Sequence, residues 1–379
     1  MRRLAPIIIL VFLLAVGAGV IYGFVRAKQN HDAEMTEFYL CETNYNDGQY
    51  QNAVQLLKTF IEAHPKSEKA ADAHYYLASS LEKLGDHTQA MVEWNKLLEN
   101  YPTSPNRAEA YYYLGVGYQD QNQYAKALEN YKTVVNRFGN MPIAAGAWYG
   151  MGRIYEIQGQ EPEAINAYQS LLEKHPGTEF AADAEQRQGA INLKRFLREN
   201  TTPYQVKRGD SLVKIAAKFG VTPELLKRIN GLTSNMLQTG QVLRVVDPDF
   251  NILVDMSNRR LSLRSGNKVV KKYVIGIGKD ETPTPPGDYK VTDKLPNPVW
   301  YCTLPSGAKE AIQPGDPRNE LGTRWIGFKP AYGIHGTIEP ESIGKAVSNG
   351  CVRMNNEDVE ELYDLVGAGT PVRIVAGVN

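Results

Sequence analysis

Two residues in the last third of the chain are of the types that carry out nucleophilic catalysis. His335 and Cys351 lie 16 positions apart, within the segments 333–337 and 348–353. A thiol becomes a nucleophile only as the thiolate, and a nearby imidazole can take its proton. The preceding Gly350 leaves space for a substrate and leaves backbone N–H groups available to an oxyanion. The pattern therefore predicts a site for nucleophilic catalysis by a thiol.

The elements around this pair are expected to be mostly strands. A hairpin is predicted around 257–258, a further strand at 269–276, and a rigid proline-rich loop at 282–289. After the cysteine, residues 358–366 have the pattern of a helix, and residues 367–375 that of a turn and a final strand. The expected scaffold for the site is thus a mainly β domain.

Residues 250 to about 376 resemble the catalytic domain of bacterial L,D-transpeptidases. The resemblance is carried by Thr-Pro-Thr-Pro at 282–285, Leu-Gly-Thr-Arg-Trp at 321–325, and His-Gly followed by Ser-x-Gly-Cys-x-Arg. Asn349 stands where many members have His. The family implies a mainly β catalytic domain that needs neither a metal nor an organic cofactor.

The resemblance also implies roles for six residues, namely Cys351, His335, Gly336, Ser348, Gly350 and Arg353. Cys351 is the nucleophile, His335 is the general base, and Gly336 orients the imidazole through its backbone. The N–H groups of Gly350 and Cys351 are candidate oxyanion donors.

Two of these residues are expected to support the site without exchanging protons or bonds with the substrate. Ser348 is expected to hydrogen-bond within the site. Arg353 either holds the cysteine loop or meets a substrate carboxylate, and these two roles stay open.

The other two cysteines, Cys41 and Cys302, lie outside any catalytic pattern. Cys41 is expected to be a core residue and Cys302 a half-buried strand residue. With three cysteines in all, at least one free thiol is expected.

The substrate implied by the resemblance is a peptidoglycan stem peptide. Cys351 would attack the carbonyl before D-Ala at the fourth position, and an amine of a neighbouring stem would resolve the thioester into a 3→3 cross-link. Water as acceptor would make the protein an L,D-carboxypeptidase, and a protein lysine would anchor that protein to the wall. The alternative from another class is a non-catalytic peptidoglycan-binding scaffold, against which the intact His335 and Cys351 argue.

Residues 203–246 form a smaller module of a different kind. Gly209-Asp210 supplies a turn, Asp210 or Ser211 can cap a helix at 212–219, and Thr222 can cap a second helix. The stretch resembles a LysM domain, a βααβ fold that binds N-acetylglucosamine-containing glycans. The family's groove maps onto Gly209, Asp210, Ser211, Ile229, Asn230, Gly231 and Leu232. The same residues are also turn and cap residues that the fold needs.

Upstream of this module the sequence repeats every 37 residues. Three sets of positions keep the period: Ala53, Ala90, Ala127 and Ala164; Gly48, Gly85, Asn122 and Gly159; Pro65, Pro102, Gly139 and Pro176. The pattern resembles tetratricopeptide repeats, closed by a capping helix at 181–200. Such stacks present a concave protein-binding surface or serve as spacers, and both readings stay open.

The N-terminus has the composition of a membrane signal. Arg2 and Arg3 precede an apolar stretch at 7–25 that would span about 28 Å as a helix, close to the thickness of a bilayer core. An uncleaved anchor is favoured over a cleaved signal peptide, because the stretch stays apolar beyond its small residues. Either way the rest is expected in the cell envelope, anchored to the inner membrane with periplasmic domains or secreted to the periplasm.

The charge distribution separates the same segments. The whole chain balances 42 Lys+Arg against 42 Asp+Glu, which excludes a uniformly basic nucleic-acid binder. Net charge is +4 over 1–30, −8 over 31–202, +5 over 203–246 and −1 over 247–379. The basic module suits an anionic cell wall.

The predicted fold class is therefore multidomain. It comprises a signal or anchor at 1–30, an all-α helical-repeat solenoid at 31–200, a small α+β LysM module at 203–246, and a mainly β catalytic domain at 250–379. The expected partners are peptidoglycan stem peptides and glycan strands, the membrane through 7–25, and a protein on the repeats, with no nucleic acid.

Overall fold

The computed structural model describes residues 5–246, 249–303 and 307–377, with side chains from residue 23 onward except at 24 and 303. The chain divides into two compact units, Met1–Ala181 and Ala182–Asn379. Across the described residues, no helix combines the length and apolar character needed to cross a membrane. Most of the predicted anchor at 7–25 lies outside the residues whose side chains are described.

The first unit consists of helices that pair along the chain. They are α1 (Ala5–Asn46), α2 (Tyr50–Ala63), α3 (Ala70–Lys83), α4 (His87–Asn100), α5 (Arg107–Asp120), α6 (Tyr124–Arg137), α7 (Ile143–Ile157) and α8 (Glu161–Lys174). The helical-repeat fold predicted from the period is confirmed.

Each periodic set has a structural cause. The four alanines of the first set are fully buried where paired helices approach. The turn residues Gly48, Gly85, Asn122 and Gly159 have φ of 73°, 80°, 57° and 70°, a left-handed conformation that favours Gly and Asn. The members of the proline set each follow a helix end by two residues, where a proline stops further winding.

The repeats share continuous apolar cores with their neighbours. Phe38 and Cys41 of α1 belong to a core that extends to Leu114 of α5, so Cys41 is the core residue it was predicted to be. Further along, the buried Tyr131 ring packs against Gly115 and Gly150, where an added Cβ would come within 2.5 Å and 2.6 Å of it. Aromatic rings thus fill the space between successive repeats.

Helix α9 (Glu179–Glu199), the predicted capping helix, begins three residues before the second unit and continues into it, and a βααβ module follows. This module consists of β1 (Thr201–Gln205), α10 (Leu212–Lys218), α11 (Pro223–Asn230) and β2 (Val242–Val246), with the two strands antiparallel. Strand β1 starts at Thr201, two residues before the boundary predicted for this module. Pro203 fits in it because this two-stranded sheet leaves an edge where its missing N–H is not needed.

The remainder of the second unit is mainly β. Its strands are β3 (Phe250–Asp255), β4 (Arg260–Ser265), β5 (Lys268–Val274), β6 (Ile277–Gly278), β7 (Gly287–Lys290), β8 (Asp293–Pro296), β9 (Trp300–Thr303), β10 (Lys309–Ile312), β11 (Arg324–Lys329), β12 (Tyr332–His335), β13 (Ala346–Ser348), β14 (Val352–Arg353) and β15 (Pro371–Val375). Helix α12 (Asn356–Leu365) precedes the last strand, and a short 3₁₀ helix spans Pro340–Ser342.

Two larger sheets organise these strands. One has the order β5-β4-β3-β15-β7, and the other has the order β14-β12-β11-β8. The pairs β9–β10 and β6–β13 are separate two-stranded sheets. The second of the larger sheets holds both segments of the predicted catalytic motif.

The βααβ module and the β domain share one hydrophobic core. Leu225 of α11 and Leu362 of α12 are both fully buried in it, as is Leu193 of α9 at 3% exposure. The Thr222 hydroxyl caps α11 by accepting from Leu225 N–H at 3.1 Å, and it donates to Asp364 O at 2.8 Å. The predicted Thr222 cap is confirmed, and it also attaches the module to the end of α12.

Candidate active site

Strand pairing brings the two segments of the motif together. Strand β12 ends at His335, and β14 begins immediately after Cys351. The strands are parallel, with Ile334 opposite Val352 and His335 opposite Arg353. Because side chains alternate along a strand, extending this register back by two residues from Arg353 places Cys351 on the face that His335 occupies. The pairing therefore brings two segments that are 16 residues apart in sequence to neighbouring positions of one sheet.

The His335 ring is held in one tautomer. It is 3% exposed, and its Nδ1 lies 2.7 Å from Gly336 O. A carbonyl can only accept, so Nδ1 carries the proton and Nε2 is left unprotonated. The pKa of His335 is lowered to about 4, chiefly by burial; the bond to Gly336 raises it in part and the charge of Arg353 lowers it. The imidazole is therefore a neutral proton acceptor at neutral pH.

An aromatic ring from the adjacent strand stacks on this imidazole. The centroids of Trp325 and His335 are 5.9 Å apart and their planes differ by 19°. The indole Nε1–H donates to Asp293 Oδ2 at 2.9 Å, which fixes the ring. A Cβ at Gly333 would come within 2.7 Å of the indole, so this packing needs glycine there. Trp325 lies in the 321–325 motif, but the sequence did not indicate its contact with His335.

The Cys351 thiol is half-buried beside a strained turn. Its Sγ lies 3.7 Å from Ala331 O, and Ala331 has a φ of 66°, unusual for a residue with a Cβ. Burial raises the pKa of the thiol, while the hydrogen bond from Gly333 N–H and the charge of Arg353 lower it in part. The resting site therefore pairs a protonated thiol with a neutral imidazole, and the proton must be transferred during the reaction.

The loop before the cysteine is closed by one serine. The buried Ser348 hydroxyl donates to Cys351 O at 2.7 Å and accepts from Gly350 N–H at 3.2 Å. Gly350 has a φ of 107°, and a Cβ there would come within 2.7 Å of the Tyr332 ring. The Gly350 N–H is thus engaged by the serine two residues upstream, and its role as an oxyanion donor stays a prediction.

The proline-rich loop supports the cysteine loop from the other side. Thr282 donates its hydroxyl to Ser348 O at 3.3 Å. The fully buried Thr284 accepts from Gly278 N–H at 2.9 Å, which attaches the loop to β6. A Cβ at Gly278 would come within 2.9 Å of Gly350 Cα. The motif at 282–285 thus supports the backbone of the loop that carries the cysteine.

Arg353 is engaged by two carboxylates. It is 7% exposed, with Nη1 2.8 Å from Glu339 and Nη2 2.9 Å from Glu320. Its backbone exchanges two 2.9 Å hydrogen bonds with Gly276. Of the two predicted roles, these contacts favour the one that holds the cysteine loop. Neither glutamate was found from the sequence, because nothing in their spacing relates them to the motif.

Asn356, the first residue of α12, also escaped the sequence analysis. Its Oδ1 accepts from Thr323 N–H and Thr337 N–H, both at 3.2 Å, and its Nδ2 donates to Thr337 O at 2.9 Å. Gly336 packs against this amide and has no room for a side chain. Asn356 therefore fixes the peptide whose carbonyl orients His335.

The first three predicted glycan-binding residues hold the β1–α10 turn. Gly209 has a φ of 86°. Asp210 accepts from Tyr204 OH at 2.9 Å and from Lys207 N–H at 2.8 Å, and these bonds, the backbone one first, lower the pKa of its carboxyl. Ser211 caps α10 by accepting from Lys214 N–H at 3.3 Å. The predicted cap is confirmed.

The other four hold the α11–β2 connection. Asn230 accepts from Arg244 N–H at 2.7 Å and donates to Arg244 O at 2.8 Å. Gly231 ends the helix with a φ of 62°, while Ile229 and Leu232 pack against the shared core. The structure thus shows the turn and packing roles of all seven residues, and their glycan contact stays a prediction.

The three cysteines are free thiols. Cys302 lies half-buried in β9, as predicted. Within the described parts of the chain, no group of three or more His, Cys, Asp or Glu side chains is arranged to hold a metal ion.

Comparison with known families matches three parts of the chain. The L,D-transpeptidase catalytic domain profile YkuD matches residues 249–374, and the LysM profile matches 204–246. The profile YfiO, described as an outer membrane lipoprotein, matches 31–201. The resemblances to the transpeptidase and LysM families are confirmed, and the repeat region is similar to a helical lipoprotein family.

Individual proteins show the same likeness. The chain is 39% identical over 179 residues to the putative L,D-transpeptidase YkuD of Bacillus licheniformis, which covers 45% of this chain and 97% of that protein. It is 38% identical over 178 residues to the Bacillus subtilis protein of the same name, with 45% and 97% coverage. A solved L,D-transpeptidase from Mycobacterium smegmatis aligns at 20% identity and TM-score 0.30, over 36% of this chain and 64% of that one.

Proposed function

The chain belongs to the L,D-transpeptidase family, and from that premise we propose that it is a cell-envelope cysteine acyltransferase that cross-links peptidoglycan stem peptides. The observation that carries this proposal is the pairing of β12 with β14, which brings the segment of Cys351 next to the strand that ends at His335, a buried imidazole whose Nδ1 contacts Gly336 O. A thiol and an unprotonated Nε2 on one sheet face can transfer a proton as the sulfur attacks a carbonyl.

The first half-reaction acylates the cysteine. His335 Nε2 takes the thiol proton while Sγ attacks the carbonyl that joins the third stem residue to D-Ala. The C–N bond breaks, a thioester forms on Cys351, and D-Ala leaves as its amine takes the proton from the imidazolium. The lowered pKa of His335 assists this last step, because a strongly acidic imidazolium gives up its proton readily.

The second half-reaction transfers the acyl group. An amine of a neighbouring stem loses a proton to His335 and attacks the thioester, and the thiolate leaves and recovers that proton. The product is a 3→3 cross-link. Water or a protein lysine in place of the stem amine would give the carboxypeptidase or anchoring activities.

The surrounding residues position this chemistry. Gly336 O and Asn356 set the imidazole, and Ser348 sets the loop that carries the sulfur. With Gly350 N–H engaged by Ser348, the Cys351 N–H is the oxyanion donor that remains from the predicted pair. Arg353 holds the loop through Glu320 and Glu339.

The other modules place the enzyme on its polymer. The LysM module binds the glycan strand of peptidoglycan and the repeats offer a surface for a protein partner. Location in the cell envelope is supported by the lipoprotein profile over 31–201 and by the basic, apolar N-terminus. Attachment to the inner membrane through 7–25 stays a prediction from the sequence.

The test is the product made from purified stem peptides. The full chain is incubated with tetrapeptide muropeptides and the products are separated by mass. We expect 3→3 dimers together with released D-Ala, and none with Cys351→Ala. The matched control is Cys302→Ala, a half-buried thiol outside the site, which should leave dimer formation unchanged.

Other products would change the proposal in defined ways. Tripeptides without dimers would replace cross-linking by L,D-carboxypeptidase activity. Equal product from wild type and Cys351→Ala would remove the cysteine from the reaction and contradict the proposal.

A further inference from the structure

A cavity of about 470 Å³ lies within the second unit, away from the residues that surround the thiol. One wall is a face of α9, on which Leu193 and Leu197 lie one helical turn apart. Lys194 and Arg198 line the same wall next to them. This wall therefore contributes an apolar floor, the name used below for Leu193 and Leu197, together with two cationic side chains.

The opposite wall comes from the LysM module. Arg228 and Ile229 belong to the last turn of α11, and Arg244 belongs to β2. The Arg244 guanidinium is positioned by a 2.5 Å hydrogen bond from Nη2 to Ile229 O. Both arginines are exposed, so their guanidinium groups are accessible to a ligand in the cavity.

One acidic side chain lines the cavity, and its charge is already balanced. Glu361 of α12 lies 2.5 Å from the Nζ of the buried Lys271 and accepts from Tyr273 OH at 2.9 Å. Four basic residues and one acidic residue line the cavity, so its lining carries more positive than negative side chains. One of the four, Arg198, also lies 3.8 Å from Glu199. The volume of the cavity is that of a site for a small molecule or a short peptide.

We infer that this cavity binds the carboxylate-bearing peptide part of a peptidoglycan strand, as a second site in addition to the catalytic one. Arginine guanidinium groups match carboxylates through paired hydrogen bonds, and the apolar floor accepts aliphatic side chains between them. Ile229 lines the cavity and also belongs to the predicted glycan-binding loop, so one strand can place its sugar and its peptide side by side. The inference rests on the proposed function, which makes peptidoglycan the polymer present.

The experiment uses the full chain with Cys351 first acylated by a carbapenem, so that the catalytic site is occupied. A sugar-free stem tetrapeptide is then titrated by calorimetry. We expect saturable binding to the acylated protein. Arg228→Gln should weaken it about tenfold, the loss expected for one charge-assisted hydrogen bond.

The matched control is Arg208→Gln, which removes an exposed arginine of the same module that does not line the cavity. It should leave the dissociation constant within about twofold, as expected of an exposed charge with no specific contact. Arg228→Lys keeps the charge without the paired hydrogen bonds and should give an intermediate loss. Circular dichroism of each variant checks that the fold is kept.

Three results would overturn the inference. The first is that the acylated protein does not bind the tetrapeptide, and the second is that Arg208→Gln weakens tetrapeptide binding as much as Arg228→Gln does. The third is that Arg228→Gln weakens only the binding of the protein to anionic phospholipid vesicles and leaves tetrapeptide binding unchanged. The carbapenem step separates the two proposals. Failure to acylate Cys351 counts against the proposed enzyme, whereas normal acylation without a second binding event counts only against the cavity.

Discussion

Glycine serves different needs in the two units of this molecule. In the repeats, Gly85 has a φ of 80° and nothing lies within 4 Å of an added Cβ. In the catalytic loop, Gly350 has a φ of 107° and an added Cβ would also meet the Tyr332 ring. The repeat position needs only a backbone conformation, which Asn122 supplies as well. The catalytic position needs both the conformation and the space, because the groups around the thiol are closely packed.

The largest expected effect is on the rate of Cys351 acylation, and it comes from replacing His335. His335→Gln removes the proton acceptor and should lower the rate of Cys351 acylation by about 10²- to 10⁴-fold, the usual contribution of a general base. Stopped-flow or mass-resolved acylation kinetics would measure it. The matched control is His175→Gln, whose ring contacts Gly139 O at 3.0 Å in the repeats and should leave the rate unchanged. Similar losses of acylation rate in both variants would show that the substitutions act by disturbing the fold and not by removing a proton acceptor.

The same histidine should make stability depend on pH. Its folded pKa is lowered from 6.5 to about 4, so the unfolded chain binds the proton more readily. The stabilisation is present above pH 6.5 and is lost as the pH falls towards 4, by on the order of 3 kcal/mol in the free energy of unfolding of the second unit. Denaturant unfolding curves at pH 7 and pH 4 should show this loss of unfolding free energy in the wild-type protein and a smaller loss in His335→Gln. Parallel losses would contradict the burial of a neutral imidazole.

A matched pair of alanine substitutions tests the two uses of glycine directly. Gly350→Ala should slow acylation by about 10²-fold, since displacing the Cys351 loop misplaces the sulfur. Gly85→Ala should cost about 1–2 kcal/mol of repeat stability, because its left-handed conformation penalises a Cβ, and should leave acylation unchanged. Acylation kinetics and thermal melts of both variants provide the readouts. Unchanged acylation in Gly350→Ala would show that the loop tolerates a side chain.

The smallest expected effect is an increase in the stability of the first unit. Asn122 has a φ of 57° at the turn where the other repeats carry glycine. Asn122→Gly should stabilise the first unit by a few tenths of a kcal/mol, up to about 1, because glycine adopts this conformation without a steric penalty. Chemical denaturation followed by helical circular dichroism would detect the shift. A loss of stability would mean that the asparagine side chain contributes more through its 2.7 Å hydrogen bond from Tyr124 OH.

The sequence predicted the periodic and local features well, and for physical reasons. Left-handed turns, helix stops and caps are decided by residues close in sequence, which is why the Gly85 turn, the Thr222 cap and the Cys41 core position could be found. The transpeptidase family could be recognised because the His-Gly and Ser-x-Gly-Cys-x-Arg motifs each lie within a few residues.

Contacts between distant segments were not predictable in this way. Trp325 meets His335 only because β11 pairs with β12, and Asn356 reaches Thr337 only because α12 packs on the same sheet. The ion pairs of Arg353 join residues 14 and 33 positions away. The engagement of Gly350 N–H by Ser348 depends on a side-chain conformation that no motif specifies.

The most direct test of the central claim is the mass of the intact protein after incubation with a carbapenem. Cys351 beside a neutral His335 should open the drug and keep it as a covalent adduct under reducing conditions, one per chain. The adduct should map to Cys351, persist in Cys302→Ala, and be absent in Cys351→Ala. An unmodified wild-type mass, or an adduct that survives in Cys351→Ala, would contradict the account of this site as a cysteine acyltransferase.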